Sequence, residues 1–198
     1  HHITMTGVQN YGHRITGNMF ATFAGQGVCL EATSVTKMIV DNNVFDSTGF
    51  NTTAVGLSMK FGVASVTSFN NVCQALLVGI DNRGSAWGWN LRNLSMADYF
   101  ELCTLASVRL GADGQITGFA VKDAFFNVQY TTNQYAVIDG GVASQMYGFE
   151  YTGNTVTPDA GKAVSLDNLV GTGWSIQSAA TDFATDYSWN TNFPVQFR

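Results

Sequence analysis

The chain has 198 residues, 45% of them hydrophobic, which is enough for one domain with a core of its own. Only 12% are charged, the net charge is −5 and the pI is near 4.9, so nucleic acid is not an expected partner. The longest uncharged apolar stretch, Cys73 to Ile80, is far too short to span a bilayer, and the scarcity of Pro (2) argues against disorder.

The chain opens His1-His2-Ile3-Thr4-Met5-Thr6, directly in strand alternation, and is expected to be a piece cut from a longer protein. His1, His2 and His13 have no metal-ligand spacing. Next comes Gly27-Val28-Cys29-Leu30-Glu31, which later segments rewrite: Val55 to Lys60, Leu77 to Asp81, Asp98 to Cys103, Tyr135 to Asp139 and Ala163 to Asp167. Aligned on Leu30, Met59, Ile80, Leu102, Ile138 and Leu166, the steps are 29, 21, 22, 36 and 28 residues. Uneven repetition in the twenties, with a strand in each unit, is the mark of an all-β solenoid.

A second strand family alternates with the first: Ile15 to Phe20, Met38 to Phe45, Val66 to Cys73, Leu91 to Leu94 and Phe149 to Val156. Four members carry an Asn two residues before an apolar residue, namely Asn18, Asn43, Asn71 and Asn154. Asn tolerates the left-handed conformation of a corner, and stacked amides can form a hydrogen-bonded ladder. Each coil of about 21–36 residues is thus strand, Asn corner, strand and loop.

The longest step contains Val108 to Gln115, taken as an insertion turning at Asp113-Gly114. Ser95-Met96-Ala97-Asp98 resembles a capping box, so a short helix over 95–106 competes with the strand assignment. Residues 1–169 form the coils. The aromatic-rich segment 170–198 is expected to cap the last coil or to associate with identical chains.

Cys73 is expected in the core, and Cys29 and Cys103 on the outward side; three cysteines give no disulfide framework and no metal spacing. Asn51-Thr52-Thr53 and Asn93-Leu94-Ser95 match the glycosylation sequon, a pattern frequent in such sequences. No nucleotide, hydrolase-elbow or metalloprotease motif is present, and no cofactor is expected.

On each first-family strand, alternation points Glu31 and its equivalents outward. That column is Glu31, Lys60, Asp81, Cys103, Asp139 and Asp167, and a second is Cys29, Ser58, Gly79, Glu101, Val137 and Ser165. Lys60 is expected to neutralise Glu31 and Asp81, whereas Asp139 above Asp167 lacks such relief. Asp81 and Glu101 are placed roughly 8 Å apart, a spacing at which an acid and a base can flank a water and a glycosidic bond. The catalytic candidates are Asp81, Glu101 and Asp139. The plainer alternative is that Asp81, Asp139 and Asp167 bond the turns that follow them. Trp87 and Trp89, on one side of an extended segment, suit sugar rings, and with Glu31, Lys60 and Asp167 they complete the substrate-binding candidates.

The two strand families, the Asn corners and the polar outward faces resemble a right-handed parallel β-helix of the pectate-lyase type, and most of all a piece of a bacteriophage tailspike or tail fibre. The resemblance implies a homotrimer on the virion that recognises bacterial surface polysaccharide, and acidic residues on the helix face that hydrolyse it. The calcium cluster and catalytic Arg of pectate lyases are not evident. Alternatives are a non-viral glycosidase or lyase, a binding-only adhesin and a structural shaft segment.

Overall fold

The computed structural model describes the chain apart from residues 1–2, 23–26, 48–52, 85–89, 129–133, 142–143, 159–161, 178–186, 190–194 and 198. Its strands stack into three parallel sheets, and there is no helix among the described residues. The first sheet has eight strands: Ile3–Tyr11, Val28–Thr36, Val55–Met59, Val78–Asn82, Ala106–Leu110, Tyr135–Asp139, Lys162–Leu166 and Tyr187–Trp189. The second runs from Arg14–Thr16 through Ile39–Asp41, Thr67–Phe69, Asn90–Met96, Ile116–Lys122, Ser144–Thr152 and Trp174–Ile176 to Val195–Phe197. The third comprises Met19–Thr22, Val44–Ser47, Val72–Gln74, Tyr99–Glu101, Phe125–Val128 and Thr155–Pro158. The expected all-β solenoid is therefore the fold, with three strands per coil where the sequence pointed to two.

Alternation builds the core. Leu30, Leu57, Ile80, Val108, Val137 and Val164 stack rung on rung inside the first sheet. The third sheet sends in Phe20, Phe45, Cys73, Phe100, Phe126 and Val156, with Phe20 on Phe45 at 5.0 Å and Phe100 on Phe126 at 5.1 Å. Stacked rings at this spacing follow from the rung repeat of ~4.8 Å.

The Asn corners separate the second sheet from the third, and the amides form the expected ladder. Asn43 Oδ1 accepts from the Asn18 backbone N–H and side-chain amide at 3.0 and 3.1 Å, and Asn71 Oδ1 accepts the same pair from Asn43 at 2.9 and 3.0 Å. The left-handed residue, however, is the one before each ladder position: Gly17, Asn42, Asn70, Ala97, Asp123 and Gly153. The ladder residue points its side chain in; its predecessor turns the backbone.

Four expectations are corrected. Register across the first sheet runs Glu31, Ser58, Asp81, Arg109, Ile138, Ser165, so neither proposed outward column is one column. Ala106–Leu110 is the missing rung, and Val108 to Leu110 is no insertion; Leu102 and Cys103 leave the third sheet instead. Segment 95–106 is strand and corner, and in place of a capping box Ser95 Oγ donates to Asp98 Oδ2 at 2.7 Å within the corner. Cys29 and Cys103 are buried, like Cys73. Cys29 shares its rung with Gly56, Gly79 and Ser107, where the chain has just left the third sheet. A Cβ on Gly79 would stand 2.6 Å from Phe100 Cδ1, so this position packs on the third-sheet phenylalanines.

The sequon at Asn93 is folded away, since its Oδ1 accepts from Val66 N at 3.0 Å. The Asn51 sequon lies outside the described residues. Strands Tyr187–Trp189 and Val195–Phe197 continue the first and second sheets into segment 170–198.

Candidate functional site

Outward positions of the first sheet gather much of the scarce charge. Besides the column Glu31, Ser58, Asp81, Arg109, Ile138 and Ser165, a second column lies two residues further on, with Lys60 beside Arg83 and Gly140 beside Asp167. Lys60 Nζ meets Glu31 Oε2 at 2.8 Å, across a diagonal between neighbouring coils.

At the centre, the Asp81 side chain is 1% exposed. Arg109 grips it bidentately, Nε to Oδ1 at 3.0 Å and Nη2 to Oδ2 at 2.5 Å, and Arg83 Nη1 adds 3.1 Å to Oδ2. Arg83 also clamps Asp113 through Nε at 2.5 Å and Nη2 at 2.7 Å. These bonds hold the Asp113 carboxyl below the usual range and raise Arg83 above its own. A carboxylate so buried is tolerable because two guanidinium groups pair with its charge and give it three hydrogen bonds.

Beyond Arg109 the face opens into a cleft of about 300 Å³ lined by Leu105, Arg109, Ile138, Asp139, Ser165, Asp167 and Asn168. Asp139 Oδ1 accepts from Gly141 N at 2.7 Å and Asn168 Nδ2 at 2.9 Å, and its Oδ2 accepts from Asn168 N at 3.0 Å. Asp139 thus ties two turns together, as the plainer alternative held. Ser165 Oγ donates to Asp167 Oδ2 at 3.1 Å on the exposed side of the cleft.

Asp81 and Glu101 are not brought together. Glu101 is on the outward face of the third sheet between Gln74 and Asn127, and it accepts from Asn127 Nδ2 at 3.4 Å. Asp139 and Asp167 share the cleft but not a rung, because Ile138 is the residue opposite Ser165. Trp87 and Trp89 lie outside the described residues.

Arg83, Arg109, Asp113 and Asn168 were missed from sequence. With only nine Lys and Arg residues in the chain, an outward Arg one rung from Asp81 is a readable signal once Ala106–Leu110 is recognised as a rung.

Away from this face, the ladder position after Asn71 is Asp98, fully buried. It accepts from Asn71 N at 2.8 Å, from Asn71 Nδ2 at 3.0 Å and from Ser95 Oγ. Burial pushes its carboxyl up to about 6, against the pull of these donors. The Cys29 and Cys103 thiols are likewise pushed up to about 12 by burial, which keeps them inert as nucleophiles. Among the described residues no group of three or more His, Cys, Asp or Glu is placed to hold a metal ion.

No family model matches the chain, and no curated protein or solved structure matches it either.

Proposed function

We propose that the chain is the glycan-binding solenoid of a bacteriophage tailspike or tail fibre, and that it holds bacterial surface polysaccharide against the outward face of the first sheet. The observation that carries this reading is the cleft at Arg109, Asp139, Asp167 and Asn168. It combines guanidinium, carboxylate and carboxamide groups with an apolar floor of Ile138 and Leu105. Sugars bind to such a mixture, hydroxyls bonded by planar polar groups and C–H faces laid on apolar ones. The likeness to tailspikes adds a right-handed helix of the pectate-lyase type, a homotrimer and a place on the virion.

Binding without cleavage is the favoured form. Asp81 is held by two arginines and Asp139 by three N–H donors, so both carboxylates are committed to bonds within the fold. Hydrolysis is the second reading, because Asp139 and Asp167 line one cleft and glycosidases work with two carboxyl groups.

Incubation with a panel of capsular and O-antigen polysaccharides separates these readings. Binding with no new chain ends is expected, and Asp167→Ala should weaken it about tenfold, the loss of one hydrogen-bonding carboxylate. New reducing ends would make the chain a hydrolase, and unsaturated ends a lyase. No binding to any member would leave a structural shaft and end the glycan reading.

A further inference from the structure

The second sheet presents a different surface. Its first corner places one left-handed residue in each coil: Gly12, Lys37, Ser65, Arg92, Gly118, Gly148 and Gly173. At Gly118 and Gly148 the missing side chains open a groove of about 300 Å³, bounded by Arg92, Leu94, Phe119, Lys122 and Glu150. The groove runs across the strands, along the solenoid axis. Exposed Leu91 and Tyr147 stand in the adjoining column.

The charges of this groove are unequal in their occupation. Lys122 Nζ and Glu150 Oε2 are 2.7 Å apart and balance one another. Arg92 is exposed and has no ion-pair or hydrogen-bond partner among the described residues. Its φ is +52°, a conformation that is strained for a non-glycine residue and that the next three coils give to glycine. Glycine would serve the backbone here as well, so the guanidinium is the feature that needs a use. Lys37, also exposed, lies two coils away in the same column, ~10 Å by rung spacing and about two sugar units of an extended chain.

We infer that this groove is a second glycan subsite, selective for an acidic linear polysaccharide with a negative charge on alternate sugars. Arg92 takes a carboxylate or sulfate in a two-pronged pair, and Lys37 takes the next charge along the chain. The sugar between lies over the Ser65 coil, and the chain continues past Arg92 along the groove, where half-buried Leu94 offers an apolar contact. The inference rests on the glycan-binding reading above and adds the substrate class.

The test is calorimetric titration with hyaluronan and alginate oligosaccharides, a neutral dextran oligosaccharide, and the polysaccharide that the first-sheet cleft selects. Each is titrated into the wild type and Arg92→Gly. That variant gives the position the residue its neighbouring coils already have, so the circular dichroism spectrum is expected to be unchanged. Wild-type protein should bind hyaluronan, whose uronates fall on alternate sugars, more tightly than alginate, which carries one on every sugar, and more weakly as salt rises; Arg92→Gly should lose at least tenfold in the hyaluronan affinity with a flatter salt dependence. Asp167→Ala should leave it intact. Acidic binding that survives Arg92→Gly, or no acidic binding by the wild type, overturns the subsite. If the panel polysaccharide is still bound in that case, the first-sheet reading stands alone. If no glycan of any kind is bound, both readings fall.

Discussion

Two stretches of one ladder behave differently. Asn18 opens the ladder as a donor, and at Asn43 and Asn71 each side chain is both acceptor and donor. Its Oδ1 takes two bonds from the coil before, and its amide reaches a backbone carbonyl such as Ile15 O or Val40 O. At the next two positions the sequence changes to Asp98 and Ala124, and the pattern resumes when Asn154 Oδ1 accepts from Ala124 N at 2.9 Å. Asp98 keeps the acceptor role and loses the donor. The consequence is electrostatic: an amide in this interior is neutral, and a carboxylate is a buried charge. The ladder needs acceptors to stay hydrogen-bonded and donors to stay neutral, and only Asn supplies both.

The strongest way to break the intact stretch is Asn71→Ala. Its Oδ1 holds two Asn43 groups, and its amide reaches Val40 O at 2.8 Å, Ser68 Oγ at 3.0 Å and Asp98. Truncation strands these partners in the interior, and the destabilisation should be about 3–4 kcal/mol, read as a lowered urea midpoint. A loss below about 1 kcal/mol would mean that water or neighbouring groups replace the amide.

The defective position responds to pH. A folded-state value near 6, against about 4 for an unperturbed aspartate, means that the folded protein binds this proton more tightly than the unfolded chain does. The stability this proton contributes is complete below pH ~4 and is lost as pH rises through ~6. Asp98→Asn should therefore match the wild type near pH 4 and exceed it at pH 7. About two pKa units set an upper limit of about 3 kcal/mol on the gain. The difference between the two unfolding profiles, plotted against pH, is the measurement; a flat difference would place the titration elsewhere.

The contrast within the ladder also explains what was legible in the sequence. Asn43, Asn71 and Asn154 could be found because a buried amide at a corner has no substitute that both accepts and donates, so the residue type itself marks the position. The first-sheet rungs carry no such mark. Asp98 to Cys103 alternates like Val28 to Glu31, and all three sheets share a period of two, so alternation cannot tell which sheet a strand enters. Choosing Leu102 over Val108 displaced Glu101 onto the wrong face and hid Arg109. The Glu31–Lys60 contact was legible because it needs only neighbouring coils. The pairing of Asp81 with Arg109 needed the correct rung, and the tie of Asp139 to Asn168 needed turn geometry that no local pattern encodes.

The smallest effect is the most specific. Ala124→Asn would place an Oδ1 where the Asp98 corner lacks an acceptor, as Asn71 does for Asn43. The new oxygen could accept from the Asp98 backbone N–H, but it also faces an ionised carboxylate that repels it and has no proton to give, so at pH 7 the single substitution should gain little. With Asp98→Asn the facing group becomes an amide, the ladder runs unbroken from Asn18 to Asn154, and the same substitution should add about 1 kcal/mol. The signature is thus a favourable coupling in the double-mutant cycle at pH 7 that shrinks toward pH 4, where protonated Asp98 can itself donate. Simple additivity at both pH values would mean that each rung bonds independently and that donor loss at Asp98 is not what interrupts the ladder.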